Sequence, residues 1–140
     1  MKKTAALLCI AATLSLCLAP PAQAGTLCLY LMLVETHEIT ARCGDRLPAD
    51  AEARFQKLSL DLARYNVRNT PSMNGHIEPE AWRASMIKKL QSAPLNPDTC
   101  TKRDYAAMKK VITDWTTPEY MKKFEDSLQK PSNPEAGGCL

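Results

Sequence analysis

Glycine is scarce in this chain, five residues in 140. Loops that cradle phosphate need several glycines close together, and no P-loop, no dinucleotide-binding fingerprint and no G-x-S-x-G elbow occurs. No pair of cysteines has C-x-x-C spacing, which leaves zinc fingers, thioredoxin-type dithiols and C-x-x-C-H haem attachment without their residues. Histidine is scarcer still, with His37 and His76 alone. His37-Glu38-Ile39-Thr40-Ala41 begins like H-E-x-x-H, but Ala41 stands where a second imidazole would have to face the same metal. Neither a metal nor a cofactor is expected. There is also no internal repeat and no low-complexity segment.

What is present begins with a leader. Lys2 and Lys3 precede an uncharged apolar stretch from Thr4 to Leu18, and Ala22-Gln23-Ala24 follows Pro20-Pro21 as an A-x-A cleavage site. The opening Met1-Lys2-Lys3-Thr4-Ala5 resembles the signal peptides of Gram-negative envelope proteins. The apolar stretch is shorter than the ~20 residues a membrane-spanning helix needs. Lipidation fits poorly, because Leu16 precedes Cys17 and Leu8 precedes Cys9 where a small residue is wanted. The expectation is a signal peptide over 1–24, cleaved near Ala24, and a protein of the periplasm or one that is secreted. Residues 25–140 then form a single domain with a C-terminal tail, 131–140, and no integral membrane span. Removing the leader takes two lysines and no acid, so the net charge falls from +3 to +1. That balance makes no case for nucleic acid or an anionic membrane as a general partner.

Cleavage also leaves Cys28, Cys43, Cys100 and Cys139, an even number in an oxidising compartment, which reads as two disulfides. If the segment between Cys28 and Cys43 is helical, these two lie about 22 Å apart at 1.5 Å per residue, too far to bridge. Cys43–Cys100 with Cys28–Cys139 is the preferred pairing, because in an up-down arrangement the start of the fourth helix lies near the end of the first. Cys28–Cys100 with Cys43–Cys139 is the alternative.

The hydropathy pattern predicts an all-α fold, a small bundle of about five helices. The run Leu27 to Val34 is apolar throughout, so period alone does not separate strand from helix there. Its continuation through Ile39 exceeds strand length and favours helix, with Cys28, Leu31, Met32, Glu35, Ile39 and Cys43 near one stripe and Gly44 as the stop. After Pro48, the clearest amphipathic stripe is Phe55, Leu58, Leu62 and Tyr65. Pro79 opens a third helix with Trp82, Met86 and Leu90 inward. Thr101 with Asp104 suggests a capping box for a fourth helix, whose stripe is Tyr105, Met108, Ile112 and Trp115. Thr117-Pro118-Glu119 starts a fifth, with Met121, Phe124 and Leu128 buried. Tyr120 falls off that face.

Chemistry is thinly signalled. Glu35 is the one acid whose place in the stripe suggests partial burial, and so the candidate general acid of a small peptidoglycan hydrolase. Lys88-Lys89, Lys109-Lys110 and Lys122-Lys123 recur on successive helices and, if aligned, would form a basic patch for an acidic partner. With no catalytic set in evidence, the expected function is non-enzymatic. The chain would bind another protein of the cell envelope, as an immunity or inhibitor-type protein or as an accessory of a secretion or transfer system. A peptidoglycan hydrolase using Glu35 and a periplasmic stress chaperone are the alternatives.

Overall fold

The structure is a computed structural model in which residues 25–134 are described. Residues 1–24 and 135–140 lie outside the described residues, and with them the expected signal peptide and the expected Cys28–Cys139 bridge. The described chain is all helical. Its elements are α1 (Thr26–Arg42), α2 (Ala49–Asn69), α3 (Pro79–Ser92), a 3-10 turn (Pro97–Thr101), α4 (Arg103–Trp115) and α5 (Pro118–Ser127). No helix among them is long and apolar enough to cross a membrane.

The apolar run at the start of α1 is explained by its place. A helix apolar on every side belongs in the interior, and α1 packs against α2, α3 and α4. Its inner residues are Leu29, Tyr30, Leu33 and Val34, continued by Thr36 and Thr40. This corrects the expected stripe: Leu31 and Met32 are half-buried and Glu35 is exposed. Phe55, Leu58 and Leu62 of α2 meet α1 in one core with Ile112 and Trp115 of α4 and Met121 and Phe124 of α5. Fully burying each such side chain stabilises the fold by roughly 1.5–3 kcal/mol. Tyr120 joins the edge of this core, its ring centroid 6.2 Å from that of Trp115 and 5.4 Å from that of Phe124.

Helix α3 differs from the others in having no fully buried residue. Trp82, Met86 and Leu90 cover the core from outside, with Trp82 stacked on Tyr30 at 4.8 Å between centroids. Arginines supply much of its remaining hold. Arg42 Nη1 donates to the carbonyls of Leu90 (3.2 Å) and Ala93 (2.9 Å) at the helix C-terminus. Arg83 donates to Ser59 Oγ at 2.9 Å and to Gln56, and Arg64 pairs with Glu80 at 2.6 Å.

The helix ends are set by local chemistry. Gly44, at φ 87°, closes α1, with its own N–H on Ala41 O and that of Asp45 on Thr40 O, the two bonds of a Schellman turn. Thr117 Oγ1 accepts from Tyr120 N at the start of α5, as its sequence position predicts. The expected Thr101–Asp104 capping box is absent. Pro97 begins a 3-10 turn, Thr101 donates back to Asp98 O, and Lys102 rather than Thr101 precedes α4.

At the opposite end of the bundle, the tail is strapped across α1 and α2. Leu27 N donates to Pro134 O at 3.2 Å, and Tyr65 Oη donates to Lys130 O at 2.7 Å while lying 2.8 Å from Ser132 Oγ. Beneath it Thr26 and Asn66 form a buried reciprocal pair, Thr26 Oγ1 donating to Asn66 Oδ1 at 2.7 Å and Asn66 Nδ2 to Thr26 O at 3.2 Å.

Candidate functional site

The two helix ends brought together by the Gly44 turn build a cleft. Leaving α1, the chain passes Asp45, Arg46 and Leu47 and re-enters a helix at Ala49, so the last turn of α1 faces the first turn of α2. Between them lies a cavity of about 450 Å³, lined by His37, Thr40 and Ala41 on α1, by Asp45, Arg46 and Leu47 in the connection, and by Ala49 and Glu52 on α2.

The corner is braced on both sides. Cys43 and Cys100 are joined by a disulfide, Cα atoms 5.5 Å apart, which fastens the end of α1 to the 3-10 turn before α4. From α4, Tyr105 Oη donates to Asp45 Oδ2 at 2.5 Å and Lys109 Nζ to Asp45 Oδ1 at 2.7 Å. Hydrogen bonds from Lys109 and then Tyr105 hold the Asp45 carboxyl below its ordinary range. Burial, helped by the bond to Asp45, pushes the Tyr105 hydroxyl up to about 12.

On the α2 side, the His37 ring lies flat on Phe55, centroids 3.7 Å apart and planes 4° from parallel. His37 Nε2 is 2.8 Å from Glu52 Oε2, and Gln56 Nε2 donates to Glu52 Oε1 at 2.6 Å. Burial opposes ionisation of Glu52, but the bonds from His37 and Gln56 outweigh it and the carboxyl is lowered. An ionised carboxylate only accepts, so Nε2 is the donor in this bond. Nδ1 is buried with no hydrogen-bond partner, 3.8 Å from Glu38. A general base needs its working nitrogen within reach of a substrate, and this one faces inward. The imidazole is a wall of the cleft rather than a reagent.

The residues singled out from the sequence do not assemble. Glu35 is exposed on α1, not seated in the apolar pocket that acid catalysis by a carboxylic acid needs. His76 sits exposed in the 70–78 loop, and among the described residues no group of three or more histidine, cysteine or acidic side chains is placed to hold a metal. The paired lysines are not one patch either. Lys109 is bonded to Asp45, Lys110 to Asp114 and Lys122 to Asp126, while Lys123 lies 5.9 Å over the Tyr120 ring.

The cleft itself had no single signal in the sequence. His37, Asp45 and Glu52 belong to different elements, and only the Gly44 turn and the Cys43–Cys100 bridge bring their neighbourhoods together. Comparison with protein-family models, with curated proteins and with solved structures finds no match for this chain.

Proposed function

We propose that this is an exported, non-enzymatic protein of the periplasm or the extracellular space that works by contact with another protein of the cell envelope. An immunity or inhibitor-type protein, or an accessory of a secretion or transfer system, would fit that description. The observation that carries this reading is the preformed cleft at the braced end of α1. Binding is strong where a recess is already held in the shape its occupant needs, because little freedom is lost on association. Here a disulfide, a Schellman turn and the Asp45 bonds hold the recess open. Its carboxylates are already engaged, which suits it to receive a side chain.

Two disulfides form part of the proposal. Cys43–Cys100 is in place, and the strap that bonds Pro134 to Leu27 carries the chain back to the residue beside Cys28, five positions before Cys139. A Cys28–Cys139 bridge would complete the pair.

Site-directed photo-crosslinking tests the function. A photoreactive amino acid in place of Leu47, in cells making the full chain, is expected to capture one partner protein, whereas the same group in place of the exposed Arg68, at the far end of α2, captures none. Equal labelling from both positions, or none from Leu47, would remove the cleft from any binding role.

A further inference from the structure

Of the lysine pairs expected to make a basic patch, Lys109, Lys110 and Lys122 are spent on neighbouring carboxylates, yet Lys88 and Lys89 stand with another set of bases near the cleft. Arg42 and Arg46 flank the disulfide on the α1 side, and Lys102 and Arg103 follow Cys100 on the other. Arg42 also ties the end of α3 to this pole through Leu90 O and Ala93 O, which brings Lys88 and Lys89 to within about one or two helical turns of it. All six side chains are exposed, and none has a carboxylate partner among the described residues. Against them stand the exposed Asp98 and Asp104, the half-buried Glu38 one turn before Arg42, and Glu52 in the cleft wall. Asp45 does not count, since Lys109 pairs with it.

Six bases against four acids leave this pole net positive on a chain that is nearly neutral once its leader is removed. The cleft opens among them, with Ala41, Leu47 and Ala49 as apolar wall and Arg46 as part of its lining. Asp45 and Glu52, the two carboxylates facing the recess, have their oxygens taken by Lys109, Tyr105, His37 and Gln56. The charge of Asp45 is offset by Lys109 whereas Glu52 keeps its own, so the carboxylates of an incoming segment belong at the rim and its apolar side chain in the recess.

We infer that the cleft and its rim receive an acidic polypeptide segment of the partner, which seats one apolar side chain between Leu47 and His37 and pairs its carboxylates with Arg42, Arg46, Lys102 and Arg103. This rests on the proposed contact function and specifies its chemistry. A polypeptide is favoured because the site asks for a side-chain knob and carboxylates together, whereas a nucleic acid or a lipid headgroup layer presents phosphates without the knob. Rim charges of this kind set encounter rate and partner choice, and arginine supplies the planar fork that matches a carboxylate.

The test uses the oxidised full-length mature chain and a short peptide of aspartate and glutamate around one leucine, titrated by NMR. Amides of 41–49 and 100–103 are expected to shift. Binding should weaken by about tenfold when Arg46→Glu and Lys102→Glu are combined, and it should weaken steadily with salt. Lys122→Glu, at a base paired elsewhere, should leave it unchanged. Equal binding of the peptide with lysine for its acids, shifts confined to other faces, or no binding would each overturn the inference. So would tighter binding to anionic vesicles or single-stranded DNA than to the peptide. The crosslink from Leu47 separates the two levels. Its survival at full yield in the doubly reversed variant would leave the contact function standing and remove the acidic partner, whereas its absence from the unaltered chain removes both.

Discussion

His37 lies face to face on Phe55 while its Nε2 meets the carboxylate of Glu52, so one imidazole joins α1 to α2 by an apolar and a polar contact at once. Glu52→Gln keeps an acceptor near Nε2 and removes the charge. Because the folded carboxyl is lowered from its ordinary 4.5, its contribution is present above that value and is lost as pH falls through the folded pKa. The side chain is 37% exposed, so solvent screens the gain to about 0.5–1 kcal/mol. Urea midpoints at neutral pH should drop by that amount in the variant. The difference should close as pH falls well below that ordinary value; a constant difference down to strongly acidic pH would show that the charge is not what stabilises the contact.

Tyr30 is fully buried, its hydroxyl has no hydrogen-bond partner among the described residues, and burial pushes its pKa up to about 12. Tyr105 is raised to a similar value. A group raised on folding stabilises the fold below its unfolded value of 10.0 and loses that contribution as pH rises through the folded one. Stability should therefore fall between about pH 10 and 12, and thermal melts across that window measure it. Tyr30→Phe removes the unpaired hydroxyl and should raise stability by about 1 kcal/mol at neutral pH while flattening the alkaline fall. Destabilisation by Tyr30→Phe would show that the hydroxyl has a partner.

The Cys43–Cys100 bridge closes a loop of 57 residues. Replacing both cysteines by serine should cost about 2–4 kcal/mol in chemical denaturation. Alkylation of the oxidised mature chain followed by intact mass should find no free thiol. A mass gain of two alkyl groups would leave Cys43–Cys100 as the sole bridge.

Because α3 has no fully buried residue and leans on Arg42, Arg64 and Arg83, it should open before the rest of the bundle. Amide exchange at residues 82–92 is expected to be faster than in α1 or α2. Arg42→Ala should speed it further at the C-terminal turn, with little change in α2. Uniform acceleration across every helix would place Arg42 in global rather than local stability.

Where the hydropathy period was strict, the fold could be read directly. Phe55, Leu58, Leu62 and Tyr65 are all buried as α2 predicts, because polar residues on the other faces leave that helix one way to turn. In α1 the run from Leu27 to Val34 offers no polar side, so period identifies no inward face, and the stripe through Glu35 is not the one the fold buries. The Thr101 cap failed for a different reason: Pro97 starts a tighter turn that uses Thr101 before α4 begins. The cleft was the least legible part. The contacts of His37 with Phe55 and Glu52, and of Asp45 with Tyr105 and Lys109, join positions 15 to 64 residues apart, and a local pattern carries no trace of such distances.

The strap from Pro134 to Leu27 makes the described chain nearly a closed ring, with its two ends stitched side by side at the pole away from the cleft. Such a ring has no privileged place to begin. Joining the ends by a short linker and cutting instead at the exposed turn around Asn74 and Gly75 should give a circular permutant with the same helices. A reporter or surface anchor fused at the strapped end would stand a bundle's length from the recess, leaving its mouth unobstructed.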